Sequence, residues 1–520
     1  MEIETGWSWK RCLLLIGGLI CLFSIVLVSL YFITVSGQSK DEVSLVENGK
    51  DIYGYPVSTV NTEALRQMLQ EQKFGELNQL LEQYYQDWVT DFRNEYVLSD
   101  AYDAFAINDQ SYQGRLDQWV KKFPTAYQPY LARASFFNHL AWESRGYRWA
   151  SETSAEQFAN MKHYFQEANQ DLQVVLEMEP NHLVAYDLLL SMNTALGNKE
   201  INYNLIKKAL QFAPNSFLLR SRYIHSIRPR WGGSYQQMRQ FAKEAQKFNN
   251  TNPRLKVLLG FANADLANVL TRQNCYWLAE LLYTNALAKG HHWGFYEELA
   301  SCYLSNNKSG QALKMINQAI ELRPQLEENY LLRAEIYSAQ GNFDGALADL
   351  LLAEKLNPGY SRLQSTRERV SQRFVISGYN YHQSKQNELA FTDYERALKL
   401  WSNNAEAFYW RAKTYIDLKQ FTAAEADLKA AITINPTYFE AVRLMDWILF
   451  QGRRFDEIIS YWTRYLEQKP DDAQAYLERG GAYFHKRDWE AAMRDAKAAA
   501  DLGHPEGKKR YEEMKQRLGI

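Results

Sequence analysis

Residues 293–326 read WGFYEELASCYLSNNKSGQALKMINQAIELRPQL, and the way that string recurs decides the fold. Within it Tyr296, Leu299, Ala300 and Tyr303, then Ala312, Ile316 and Ala319, fall where two packed helices need them. Pro324 closes the second helix, because proline has no N–H and clashes with the preceding turn. Thirty-four residues after Pro324 stands Pro358, and thirty-four after Pro436 stands Pro470. Alanine or glycine belongs where two short helices cross closely, and aromatic side chains fill the gaps beside that contact.

The pattern returns as Tyr330, Ala334, Tyr337, Ala346, Leu350, Ala353 and Pro358. It returns again as Phe408, Ala412, Tyr415, Ala424, Leu428, Ala431 and Pro436, and as Tyr476, Gly480, Tyr483, Ala492, Ala496 and Ala499. It resembles the tetratricopeptide repeat (TPR), whose signature has this length and order. The resemblance implies an all-α fold, a right-handed TPR-type α-solenoid of helix-turn-helix repeats. Six units fit residues 293–506: Trp293 to Leu326, Glu327 to Tyr360, Ser371 to Asn404, Ala405 to Tyr438, Phe439 to Asp472 and Ala473 to Glu506. Two of them depart from the pattern, with Asp446 where a small residue is expected and Ser402 in place of the proline. Ser361 to Val370 adds ten residues that read as a helix extension. Residues 507–520, with Lys508, Lys509, Arg510, Glu512 and Lys515, read as a polar helix capping the last open face.

A chain of 520 residues is too long for one ordinary core, but repeats that contact only their neighbours escape that limit. With 59 basic against 61 acidic residues there is no electrostatic footprint for nucleic acid.

Residues 12–35 carry no charge, and 24 such residues span a bilayer as a helix. Lys10 and Arg11 precede them, so residues 1–11 are expected in the cytoplasm and the bulk of the chain outside it, as a single-pass protein of the inner membrane. A cleaved signal peptide is the competing reading, with small residues at Val35-Ser36-Gly37, although the apolar run exceeds the roughly 7–15 residues of a signal peptide core. Residues 36–60, with Gly37, Gly49, Gly54 and Pro56 and no apolar stripe, are expected to be a flexible tether.

Residues 61–250 read as a helical domain with degenerate repeats, and a further blurred unit fills residues 251–292. Ser154 with Gln157 forms a capping box at the start of a long helix. Two clusters stand out, Ala141-Trp142-Glu143-Ser144-Arg145-Gly146-Tyr147-Arg148-Trp149-Ala150 and Arg228-Pro229-Arg230-Trp231-Gly232-Gly233-Ser234. In this order they look like an uncharacterised bacterial domain family that precedes TPRs; that resemblance implies an architecture and no activity. Arginine stacks on indole and still presents donors to an anion. Trp142, Arg145, Arg148, Arg228, Arg230 and Trp231 therefore form either an anion pocket or a structural cluster of stacks and ion pairs.

The TPR resemblance implies that the first helix of each unit lines the inner groove. On that reading Tyr379, His382, Tyr409, Trp410, Lys413, Arg443, Trp447, Phe450, Phe484 and His485 form an aromatic groove with a few bases, suited to a peptide or to sugars stacking on rings. No phosphate loop, nucleophile elbow or zinc-protease motif occurs, and neither a catalytic centre nor a cofactor or metal is expected. Asp100, Asp103 and Asp109 read as a solvated helix face, His291-His292 as loop residues, and Cys275 and Cys302 as a disulfide or two buried thiols. The function expected is a membrane-anchored scaffold or adaptor for protein or peptide clients at the cell envelope. The alternative is a glycan-binding or polysaccharide-export accessory protein.

Overall fold

In a computed structural model of the chain, residues 44–58, 60–146 and 152–519 are described, and apart from one two-stranded hairpin they build helices. The expected membrane span at residues 12–35 lies outside the described residues. Among the described ones no helix is long and apolar enough to cross a membrane. The chain forms two compact units, residues up to 340 with 344–363, and residues 341–343 with 364 onward.

The first unit opens with strands β1 (Val46–Glu47) and β2 (Lys50–Asp51), paired antiparallel across Asn48 and Gly49. Both turn residues have positive φ, 53° and 72°, the backbone that a two-residue hairpin turn requires and that Asn-Gly supplies with little strain. Helices follow as α1 (Thr62–Gln70), α2 (Phe74–Thr90), α3 (Glu95–Asp103), α4 (Gln113–Lys122), α5 (Tyr127–Arg145), α6 (Ala155–Met178), α7 (Leu183–Ala195), α8 (Lys199–Phe212), α9 (Phe217–Ser226), α10 (Tyr235–Ala245), α11 (Phe261–Arg272) and α12 (Tyr276–Leu287). The capping box holds at α6, where Ser154 Oγ accepts from Gln157 N at 3.1 Å and Gln157 accepts from Ser154 N at 2.9 Å.

From Trp293 the helices pair as the period dictates: α13 (Trp293–Ser305) with α14 (Ser309–Leu322), α15 (Glu327–Ala339) with α16 (Phe343–Leu356), and α17 (Ser361–Gln383) with α18 (Asn387–Leu400). Then come α19 (Ala405–Asp417) with α20 (Phe421–Ile434), α21 (Phe439–Gln451) with α22 (Phe455–Gln468), α23 (Ala473–His485) with α24 (Trp489–Asp501), and the closing helix α25 (Pro505–Leu518). The inserted residues 361–370 extend α17 at its start, as expected. Ala300, Ala312, Ala319, Ala334, Ala346, Ala412, Ala424 and Ala431 are wholly buried, so the small positions are the helix contacts. A second recurring device reinforces them. Arg333 grips Asp349, Arg411 grips Asp427 and Arg479 grips Asp495, each pair 16 residues apart with two bonds of 2.7–2.9 Å from the first helix of a unit to its second.

Two expectations need correction. The stretch from Ser44 to Val60 is no tether: Leu45 and Tyr55 are 3% and 1% exposed, and Glu321 accepts from the backbone of Leu45 and Val46 at 3.0 and 3.1 Å. Two apolar anchors ten residues apart carry no periodicity, so the sequence hides them. Asp100 does not sit on a solvated face; it is 3% exposed and bonded to Arg323 at 2.5 Å. Of the two readings of Cys275 and Cys302, a disulfide between them is not formed, because Cys302 is a free, buried thiol.

The strap is locked by Arg254, 4% exposed, which pairs with Asp51 at 3.1 Å. Its guanidinium lies 4.4, 4.8 and 5.0 Å from the ring centres of Tyr55, Tyr96 and Phe217. Arg254→Met leaves the Asp51 carboxylate buried without its cation, held only by the backbone N–H groups of Tyr53 and Tyr55 at 2.9 Å, and losing one partner of such a pair costs about 3–5 kcal/mol. Urea denaturation followed by tryptophan fluorescence should show that loss, and Asp51→Asn added to Arg254→Met should restore part of it.

Candidate functional site

The two Arg/Trp clusters, far apart in sequence, meet in the first unit. Trp142 at the end of α5 and Trp231, in a short 3-10 turn, Pro229–Trp231, stand edge to face with centres 6.1 Å apart. The Arg145 guanidinium lies 5.3 Å from Trp231 and 5.9 Å from Trp142, and the Trp142 indole donates to Ser191 Oγ at 2.9 Å. Arg228 and Arg230 both turn to Asp265 Oδ1, at 3.3 and 3.6 Å. Arg228 also contacts His225 Nε2 at 3.0 Å, and burial beside that arginine keeps the imidazole neutral, so the guanidinium donates. Gly233 is required here, because a Cβ would fall 2.0 Å from the Ile227 carbonyl oxygen. This arrangement is made of stacks and ion pairs, and two of the guanidiniums considered for an anion face a carboxylate instead. Arg148 lies outside the described residues.

The first unit also holds a cavity of about 510 Å³, lined by Tyr96, Asp103, Arg222, His292, Glu297 and Arg323 among others. Arg222 grips Asp187 with two bonds of 2.8 Å, and the Arg323 guanidinium rests 4.5 Å from the Tyr96 ring. Burial, with Glu298 and Glu328 adding repulsion, holds the Glu297 carboxyl above its usual range. None of these residues stands in a motif, and only folding gathers them.

In the second unit five of the residues expected in the groove come together. A cavity of about 520 Å³ is lined by Tyr409, Lys413, Arg443, Trp447 and Phe450, together with Glu440, Leu444, Asp446 and Glu478, which sequence reasoning did not assign to the groove. Trp447 and Phe450 are 44% and 40% exposed. Trp410 packs between first helices, 4.5 Å from the Tyr379 ring and 5.1 Å from that of Tyr409, and Lys413 lies 4.8 Å over it. His382 is 7% exposed and bonded to Asp417 at 2.7 Å, which removes it from the groove. Phe484 and His485 line a separate cavity of about 260 Å³ beneath α25.

Family models match stretches of both units. Residues 297–361 and 447–505 match a tetratricopeptide repeat model, residues 405–438 a second, and residues 378–418 a TPR repeat model. The chain carries tetratricopeptide repeats. Upstream, residues 61–206 match a domain of unknown function, DUF4034, and that match ends before the Arg228 cluster. Among curated proteins the chain is 26% identical over 119 residues to small glutamine-rich tetratricopeptide repeat-containing protein 2 of Saccharomyces cerevisiae, covering 23% of this chain and 32% of that protein. It is 27% identical over 186 residues to DnaJ homolog subfamily C member 3 of Gallus gallus, covering 35% and 37%. The chain thus spans about a third of the length of these relatives. Among solved structures, MamA residues 41 to the end from Desulfovibrio magneticus RS-1 shares 16% identity over 29% of this chain and 85% of that one, with a TM-score of 0.25. YrrB, described as a TPR protein with an unusual peptide-binding site, shares 18% over 39% and 96%, with a TM-score of 0.27.

Within the TPRs, the unit at Phe439 breaks the rule at the groove. Where its neighbours have Ala412 and Gly480, it has Asp446, and where they have Leu428 and Ala496 it has Trp462. Trp462 is wholly buried and its indole N–H donates to Asp446 Oδ2 at 2.7 Å, so the large ring and the carboxylate come as a pair. Burial, then the nearby Glu478, pushes the Asp446 carboxyl up to about 6 from 3.8; the indole bond works the other way. A carboxyl whose folded pKa is raised favours folding in its protonated form, and that contribution is lost as pH rises from about 4 to about 6. Asp446→Asn should therefore flatten the pH dependence of stability over that window by up to about 3 kcal/mol, read by urea denaturation at a series of pH values.

Proposed function

We propose that this chain is a membrane-anchored TPR scaffold that holds a protein or peptide client outside the cytoplasm, at the cell envelope. The observation that carries the reading is the open groove of the second unit. Exposed Trp447 and Phe450 offer aromatic surface to an extended segment, and among the described residues Lys413 and Arg443 lie over the rings of Trp410 and Phe439 and form no ion pair. TPRs act through such contacts and need no catalytic group. The uncharged run at residues 12–35, preceded by Lys10 and Arg11, supports an anchor with the folded part beyond it.

The strap sharpens the reading. With Leu45 docked on the first unit, only the few residues from Ser36 onward separate the end of the uncharged run from the folded body. Eight residues of extended chain reach about 28 Å at most. A client held in the groove is then confined to a shell close to the bilayer, which raises its local concentration there.

Two measurements test this. Reporter fusions at Ile520 should be active only outside the cytoplasm, and activity inside would overturn the localisation. A photo-reactive residue placed at Leu444 should give discrete protein adducts in intact cells that Trp447→Ala removes, whereas the same probe at Val269, exposed on the first unit, should not give them. Binding to a glycan array with no adduct from Leu444 would replace the peptide reading with a sugar-binding one.

A further inference from the structure

Three carboxylates line the groove of the second unit, those of Glu440, Asp446 and Glu478, and no cation reaches any of them at ion-pair distance among the described residues. The two cations lining the same cavity turn to rings instead. Lys413 lies 4.8 Å from the centre of Trp410, and the Arg443 guanidinium 6.0 Å from that of Phe439. Glu478 accepts one bond from Gln474, at 2.7 Å, and Glu440 accepts none. Asp446 has one oxygen committed to the Trp462 indole, and its other oxygen has no partner among the described residues.

The indole bond alone does not require a charge at this place, since an asparagine oxygen would accept it equally well. The carboxylate is held in a half-buried position beside Glu478, where repulsion works against its ionisation. An ammonium or guanidinium entering the cavity would relieve that repulsion and complete the free oxygen with a charge-assisted hydrogen bond. Beside it, Trp447, packed against Phe421, and Phe450, packed against Phe455 and His485, keep exposed aromatic surface that fits a bulky apolar side chain next to the cation on the same segment.

We infer that the groove selects client segments in which an arginine or lysine stands beside a bulky apolar residue, with Asp446 as the residue that reads the basic side chain. This rests on the client-binding reading above and adds to it the chemistry of the client. The acidic floor supplies the charge complementarity, and the aromatic wall supplies the apolar contact. Segments with an acidic residue at the same place are rejected.

The test uses the full chain and fluorescein-labelled, end-blocked octapeptides of serine and leucine that differ at one central position, arginine, lysine, citrulline or glutamate. Anisotropy titrations should give the arginine peptide at least a ten-fold lower Kd than the citrulline peptide, with the glutamate peptide weakest. Asp446→Asn keeps the acceptor for Trp462 and should fold; it should shrink the arginine-to-citrulline ratio to about two, chiefly by weakening the arginine peptide. Trp447→Ala should weaken all four peptides alike. Equal binding of the arginine and citrulline peptides, a preference for glutamate, or an unchanged ratio in Asp446→Asn overturns the selectivity and leaves the groove standing. Failure of every peptide to bind, or indifference to Trp447→Ala, overturns the groove reading itself and the inference with it.

Discussion

The structure depends on one steric constraint, the close crossing of the two helices in each repeat. A wholly buried alanine at Ala300, Ala334 or Ala412, facing Ala312, Ala346 or Ala424, lets two backbones approach to a distance that no larger side chain permits. Once that distance is set, the Arg–Asp pairs 16 residues apart can form, because their helices are near enough for a guanidinium to span. Within each of the two compact units, one repeat then offers the next an equivalent face. The candidate groove arises where the constraint is set aside. At Asp446 and Trp462 a carboxylate and an indole take the place of small and aliphatic residues, and the same exchange that fills the core puts a charge on the groove floor.

The first unit keeps its geometry by other means. Its repeat signature is blurred, and buried polar contacts take up the specification. Glu95, wholly buried, accepts from Ser216 Oγ at 2.5 Å and from the backbone N–H groups of Phe217 and Leu218 at 3.0 and 3.1 Å, so it caps the start of α9 from α3. Burial pushes that carboxyl up to about 7 despite the three donors. Arg254, Arg222 and Arg323 each pair with an aspartate, and two of them also lie over aromatic rings. Buried pairs of this kind contribute little net stability, because desolvation offsets their attraction, but they penalise any arrangement that separates the partners. That is a route to a unique packing where helix-crossing rules alone leave choices open.

Part of the site was legible before folding and part was not, for identifiable reasons. Tyr409, Lys413, Arg443, Trp447 and Phe450 were accessible to sequence reasoning because a fixed period maps each onto one helix face. His382 and Phe484 obey the same period but find a partner in Asp417 and a place under α25, which the period does not encode. Asp446 was visible as an irregularity, and its meaning required the position of Trp462.

The residues by themselves determined the helical repeat, its boundaries from Trp293 onward, the extension at 361–370 and the closing helix, because each follows from local spacing and helix-breaking chemistry. The tertiary structure alone decided that residues 44–58 are a strap, that the Trp142 and Trp231 clusters meet, and that Asp100 is buried against Arg323. Those contacts join residues with no periodic relation, and their energy comes from desolvated charges and ring faces that exist only once the helices have packed.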